Sequence, residues 1–241
     1  MKAIILAAGR GERMRPLTDH TPKPLLVVQG KPLIEWHLEA LARAAVTRVV
    51  INTAWLEEQI VDTLGDGRRW GLEIVYSMEG RHFGGALETA GGLKTALPLL
   101  LAGTDPAGAR NAFWYVAADA YAPGFRFDPA ALARFDAGRT LAHLWLVPNP
   151  PQHPGGDFGI TDGLATAGRD GARFTWSGIG LVRPAFVTTL MADLPAGRPA
   201  KLRPYLDAAI GARQLGAERY DGAWADVGTP ARLAALNAAS R

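Results

Sequence analysis

The chain has 241 residues, 48% of them hydrophobic and 20% charged, with a formal net charge of +3, a profile that fits one globular α/β domain able to bury its own core. The absence of cysteine excludes disulfide frameworks, thiolate zinc sites and cysteine nucleophiles. Lys and Arg are dispersed, no apolar run reaches the roughly 18–20 residues that cross a bilayer, and the N-terminus is strand-like rather than a charged leader; neither nucleic acid nor membrane is expected as a partner, and the pattern fits a cytoplasmic protein.

The opening run Lys2-Ala3-Ile4-Ile5-Leu6-Ala7-Ala8 reads as a buried strand of a parallel sheet. It breaks into Gly9-Arg10-Gly11, where backbone can approach a ligand closely, and then delivers Arg13, Arg15 and Lys23. Strand, glycine turn and fixed cations together suit a polyphosphate. The turn is not a P-loop, because no Gly-Lys-Ser/Thr follows. Nor does it fit a dinucleotide fingerprint, since Met14 stands where a third small residue is needed. Pro32 starts a helix whose apolar positions Leu33, Ile34, His37, Leu38, Leu41 and Ala45 recur at helical spacing. His37 lies on the apolar side, where a lone histidine is more often a satisfied core residue than a ligand, and the sequence assigns it no role.

A strand over Thr47–Asn52, a helix over Leu56–Leu64 and a strand over Leu72–Ser77 follow, the alternation of a parallel sheet covered on both faces. Glu79 to Gly92 reads as a glycine-rich loop opening onto a helix from Leu93 to Leu101. Asn111–Asp119 is a largely apolar strand ending in a carboxylate, where open α/β sheets place ligands.

Pro129 to Ala137 reads as a helix and Thr140 to Val147 as a strand. Pro148-Asn149-Pro150-Pro151 and His153-Pro154-Gly155-Gly156 are loop chemistry. They lead into short β-like pieces around Phe158–Ile160, Leu164-Ala165 and Arg173–Trp176, expected as antiparallel hairpins. After Lys201–Leu206 a helix is expected to run to about Leu215. Pro230 starts a closing helix with Thr229 as its N-cap.

Three strings carry a family resemblance: Leu6-Ala7-Ala8-Gly9-x-Gly11-x-Arg13-Met14-x-Pro16-Leu17-Thr18 with Pro22-Lys23-Pro24-Leu25; Glu88-Thr89-x-Gly91-Gly92; and Trp224-x-Asp226-Val227-Gly228-Thr229-Pro230. Together they resemble the sugar-phosphate nucleotidyltransferases, or nucleotide-sugar pyrophosphorylases, over essentially the whole chain. The resemblance implies a single Rossmann-like α/β domain, a three-layer sandwich with a mixed, mainly parallel sheet of the glycosyltransferase-A kind. Residues 1–147 would form the nucleotide-binding core, 148–200 a small β-rich sugar-binding insertion and 201–241 a closing segment.

The implied substrates are a nucleoside triphosphate and a sugar 1-phosphate, giving a nucleotide sugar and pyrophosphate. Overall similarity points first to UTP with an amino-sugar or muramic acid 1-phosphate. Mannose 1-phosphate with GTP and glucose 1-phosphate with a thymidylyl or uridylyl donor are the competitors. The family pattern implies that Ala7, Ala8, Gly9, Gly11, Glu12, Arg13, Met14, Glu88, Thr89 and Gly91 bind the nucleotide, with the Glu88 segment closing over base and ribose. Arg15 would hold the β and γ phosphates, and Lys23 would bridge the α-phosphate and the acceptor phosphate. Asp119 and Asp226 would hold Mg²⁺, and Asn149, Asp157, Ser177 and Gly178 would face the sugar. Ala90 and the long 80–87 segment depart from the family pattern. So does Ala117-Ala118, which replaces the usual Asn-Gly before the aspartate; these departures keep open a nucleotide-binding regulatory protein with little turnover. Oligomeric state is not fixed by the sequence.

Overall fold

Successive residues of a strand face opposite sides of its sheet, so a strand that is apolar throughout feeds two cores. In β1 (Lys2–Leu6), Ala3 and Ile5 enter one core and Ile4 the other, and all three are fully buried. The computed structural model of the chain describes residues 1–103, 111–168 and 171–238. After β1 come a hairpin of β2 (Val27–Val28) and β3 (Lys31–Pro32), then α1 (Leu33–Arg43), β4 (Arg48–Thr53), α2 (Glu57–Leu64) and β5 (Glu73–Met78). The middle of the chain forms α3 (Glu79–Phe83), α4 (Glu88–Leu101), β6 (Phe113–Ala117), β7 (Ala120–Tyr121), α5 (Pro129–Ala137) and β8 (Ala142–Val147). The remainder forms β9 (Phe158–Thr161), β10 (Leu164–Thr166), β11 (Arg173–Val182), α6 (Arg203–Gly211), β12 (Leu215–Arg219), β13 (Ala225–Asp226) and α7 (Pro230–Ala238).

The main sheet has nine strands in the order β5-β4-β1-β6-β11-β8-β12-β10-β9. β5, β4, β1 and β6 run parallel, β11 is antiparallel to both β6 and β8, and β12 is parallel to β8. One face packs on α1, α2 and α5 through Ile34, Leu38, Leu41, Ile60, Leu132 and Phe135. The other packs on α4 and α6 through Leu93, Leu97, Leu100, Leu206 and Ala209. A third, smaller cluster joins Met14, Leu26, Val28 and Leu33 to Val227 and Leu233, so the end of the chain is fastened against its beginning. The result is the α/β three-layer architecture with a mixed sheet. Among the described residues no helix is long and apolar enough to cross a membrane.

Three expectations are corrected. The 79–92 segment is mostly helical: Glu79–Phe83 forms α3, and α4 begins at Glu88 rather than Leu93. Gly91 and Gly92 serve close packing. A Cβ on Gly91 would stand 2.3 Å from the Arg198 carbonyl oxygen, and one on Gly92 2.5 Å from Asn52 Nδ2. The stretch around Trp176 is not a short added piece but part of a ten-residue central strand, β11, whose register shifts between Trp176 and Gly180. Finally, the helix expected to reach Leu215 ends at Gly211, because Leu215 to Arg219 pair in register with Ala142 to Leu146 of β8. Tertiary pairing overrides local helical preference there.

Candidate active site

The carboxyl ends of β1, β4 and β6 open into a cavity of about 630 Å³, the position where open α/β sheets take ligands. Ala7, Ala8, Gly9, Arg10, Gly11, Glu12, Arg13 and Met14 form one wall, with Lys23 packed beside Gly11, and Glu88 and Thr89 also line the cavity. The wall is a tight loop because Gly11 adopts the left-handed conformation, φ 69°. Its carbonyl accepts from Met14 N at 2.8 Å and from Thr18 Oγ1 at 2.9 Å. Met14 is fully buried in the third cluster and anchors the loop from beneath. Trp55 Nε1 donates to the Thr18 carbonyl at 2.8 Å, and the Arg10 guanidinium lies 4.3 Å above the Trp55 ring.

A buried polar chain fixes this wall to the start of α4. Asn52 Oδ1 accepts from Ala7 N at 2.8 Å, and Asn52 Nδ2 donates to Glu79 Oε1 at 2.7 Å. Glu79 Oε2 in turn accepts from Leu87 N at 2.7 Å. Burial pushes the Glu79 carboxyl above the usual range, against the two hydrogen bonds that lower it. Leu87 precedes Glu88, which holds φ at 57° while lining the cavity.

A second cavity of about 370 Å³ adjoins the first and is lined by His153, Asp157, Trp176, Ser177, Gly178, Trp224, Asp226 and Arg232. Arg13 and Asp119 line both cavities. Beneath them Tyr115, in the first cavity, stacks on Trp176, in the second, with ring centroids 5.2 Å apart. Thr89 hydrogen-bonds the buried Tyr115 hydroxyl, whose pKa burial raises.

Asp119 and Asp226 lie on adjoining backbone at this seam, and both line the second cavity. They sit on the paired strands β7 and β13 and the turn before them: Asp226 lies opposite Ala120, and Val227 N donates to the Asp119 carbonyl at 3.0 Å. Each carboxylate has a cation on one oxygen. Lys23 Nζ lies 2.7 Å from Asp119 Oδ2, and Arg232 pairs with Asp226 Oδ2. The turn is held from outside the site by His37, whose Nε2 lies 2.7 Å from the Ala120 carbonyl oxygen. His37 is buried and its pKa is lowered to about 4, chiefly by that burial, so neutral imidazole donates from Nε2.

Several expected site residues stand elsewhere. Arg15 lines neither cavity; its Nε donates to Asp19 Oδ1 at 2.6 Å with the side chain 59% exposed. Of the two arginines, Arg13 is the one that lines both cavities. The loop turns at Gly11 so that Met14 points into the core, and this sends alternate arginines to opposite sides. Gly91 lies inside α4 against the Arg198 backbone and lines neither cavity. Asn149 is spent on structure: its Nδ2 donates to the Pro154 and Arg173 carbonyls and its Oδ1 accepts from Thr175 Oγ1.

Ser177 reaches the second cavity but is 1% exposed, with its hydroxyl donating to the Trp145 carbonyl at 2.6 Å and accepting from Ile179 N at 3.1 Å. It braces the irregular stretch of β11, where Gly178 holds φ at 79°. Asp157 lines the cavity with both oxygens engaged, by His153 Nε2 at 3.1 Å and Trp176 N at 2.8 Å. Asn52, His153 and Arg232 also line the cavities, although the sequence motifs do not mark them as site residues. Only Arg232 had a local signal, its place in the first turn of the helix after Asp226.

Asp119 and Asp226, each with an oxygen outside these ion pairs, would offer hard-oxygen donors to a divalent cation. Among the described residues no cluster of three or more acidic, His or Cys side chains is suited to a metal. Mg²⁺ needs no more, since it keeps several waters and takes one or two carboxylates beside phosphate oxygens.

Residues 2–159 match the family model described as nucleotidyl transferase. A Neisseria meningitidis protein, N-acetylmuramate alpha-1-phosphate uridylyltransferase, is 46% identical over 97% of this chain and 95% of its own length. A Caulobacter vibrioides protein of the same name is 34% identical over 97% and 94%. A solved Bacillus anthracis structure assigned to glucose-1-phosphate thymidylyltransferase superposes with a TM-score of 0.82 at 22% identity, covering 100% of this chain and 95% of the other.

Proposed function

Because this chain belongs to the nucleotidyl transferase family, we propose that it transfers a uridylyl group from UTP to N-acetylmuramate 1-phosphate, releasing pyrophosphate. The observation that carries this reading is the pair of adjoining cavities with Arg13 and Asp119 shared between them. One has the loop and cations for a triphosphate, and the other has the aromatic walls for a sugar. The two near-full-length relatives supply the identity of the acceptor.

In this reading the triphosphate lies along Ala7 to Met14, where backbone amides and Arg13 meet its oxygens. An oxygen of the acceptor phosphate attacks the α-phosphorus in line. A new P–O bond forms, the α–β bridging bond breaks, and its electron pair leaves with pyrophosphate. Neither partner needs a protein nucleophile, so positioning and charge neutralisation provide the catalysis. Lys23, on the nucleotide side of the seam, neutralises the oxygens around the α-phosphorus. Asp119 and Asp226 would hold Mg²⁺, which when bound offsets repulsion between the two anionic reactants.

The test is pyrophosphate release over a panel of UTP, GTP, dTTP and CTP against N-acetylmuramate, N-acetylglucosamine, glucose and mannose 1-phosphates. UTP with N-acetylmuramate 1-phosphate is expected to give the highest kcat/KM. A higher value for GTP with mannose 1-phosphate, or for a thymidylyl donor with glucose 1-phosphate, overturns the substrate assignment. Nucleotide binding without turnover of any pair overturns the enzymatic one.

A further inference from the structure

The seam carboxylates are paired in a symmetrical way that the proposed reaction does not by itself require. Lys23, which lines only the nucleotide cavity, holds Asp119 Oδ2 at 2.7 Å. Arg232, which lines only the acceptor cavity, holds Asp226 Oδ2. Both pairs are partly sheltered, with Lys23 11% and Arg232 26% exposed. Arg232 reaches Asp226 from the first turn of α7, where its own backbone N–H is capped by Thr229 Oγ1 at 3.4 Å.

A divalent cation and a guanidinium compete for the same carboxylate, and a guanidinium set free in a phosphate-binding cavity forms bidentate bonds to phosphate. Building on the nucleotidyl-transfer reading, we propose that Arg232 is the residue that binds the phosphate of the sugar 1-phosphate, and that it is released for this role when a divalent cation takes its place on Asp226. Arg232 is thus the acceptor-side counterpart of Lys23. The same displacement orders the site: with no metal the arginine stays on its aspartate and the acceptor phosphate lacks its partner.

Arg232→Ala then shifts two measurements in opposite directions. Without the competing cation, Mg²⁺ titrated calorimetrically into the protein alone binds several-fold more tightly. Without the guanidinium, KM for the sugar 1-phosphate rises on the order of tenfold to a hundredfold, while KM for UTP stays within about twofold. Arg232→Lys, which keeps the charge and loses the fork, gives an intermediate acceptor KM and guards against a folding defect in the alanine variant. Weaker or unchanged Mg²⁺ binding in the alanine variant overturns the displacement. An unchanged acceptor KM overturns the phosphate contact, and so does a penalty confined to acceptors carrying a carboxylate. If wild-type protein turns over no sugar 1-phosphate, the nucleotidyl-transfer reading itself fails, and the Mg²⁺ titration still decides whether metal and Arg232 compete.

Discussion

Gly92→Ala separates local propensity from packing, because the two give opposite signs. Gly92 lies inside α4, where alanine stabilises a helix by about 1 kcal/mol over glycine. In this fold the added Cβ would stand 2.5 Å from Asn52 Nδ2 and 2.7 Å from Glu79 Oε1. Those atoms cannot swing aside as a flexible chain end would, since they bond each other, and through Asn52 Oδ1 and Glu79 Oε2 they hold Ala7 N and Leu87 N. Overpacking costs roughly 1–3 kcal/mol, and leaving a buried donor without its acceptor costs about 1–3 kcal/mol more. Packing wins, for a net loss of roughly 1–5 kcal/mol after the helix gain. Thermal unfolding is expected to show Tm lower by several degrees, at about 2–4 °C per kcal/mol for this size. KM for UTP should rise as well, because the same chain of bonds places the phosphate loop and Glu88. A variant with raised Tm and unchanged KM would refute the reasoning, showing that the Asn52–Glu79 pair is soft.

Arg13→Ala is expected to lower kcat/KM by on the order of a hundredfold or more, whereas Arg15→Ala, an exposed pair with Asp19, should change stability by less than about 0.5 kcal/mol and turnover little; steady-state kinetics on both variants decides, and equal defects would contradict the placement of the loop. Asp119→Ala and Asp226→Ala should each remove Mg²⁺-dependent turnover with the double variant little worse, as for residues acting as a unit. Pyrophosphate release against Mg²⁺ concentration checks this, and full activity in either single variant at saturating Mg²⁺ excludes a shared site. His37 has its pKa lowered from 6.5 to about 4, so its contribution to stability is complete above pH 6.5 and is lost as pH falls toward 4, because the unfolded chain takes up a proton that the folded state refuses. The change is on the order of 3 kcal/mol. His37→Gln should flatten that part of the slope in urea unfolding between pH 7 and pH 5, and identical slopes in the two proteins would count against a buried neutral imidazole.

The fold was legible where a single residue pattern carries both local structure and burial. β1 with its glycine turn, α5 from Pro129 to Ala137, and Pro230 opening α7 all follow from apolar period and proline placement. What the sequence concealed depends on partners far along the chain. Gly91 and Gly92 look like loop residues until Arg198 and Asn52 are placed against them. Leu215 continues a helical pattern until β8 offers it a register. In the site, motif order brought Lys23, Asp119 and Asp226 to one seam, but it gave the phosphate clamp to Arg15 where Arg13 lines the cavities, because that choice depends on which way the loop turns to bury Met14. Asn149 has the right chemistry for a sugar contact, yet the loop around it takes both of its N–H donors and one acceptor position of its oxygen.

The central claim is that one site joins a nucleotide to a sugar phosphate at the α-phosphorus. Phosphorus NMR of an equimolar mixture of UTP and N-acetylmuramate 1-phosphate, followed with the enzyme and Mg²⁺, tests it directly. The expected spectrum loses the β- and γ-phosphorus resonances of UTP and the monoester resonance together, and gains the paired diphosphate resonances of a nucleotide sugar and one pyrophosphate line. Appearance of orthophosphate, or of UDP and UMP with the sugar phosphate unchanged, would contradict the account.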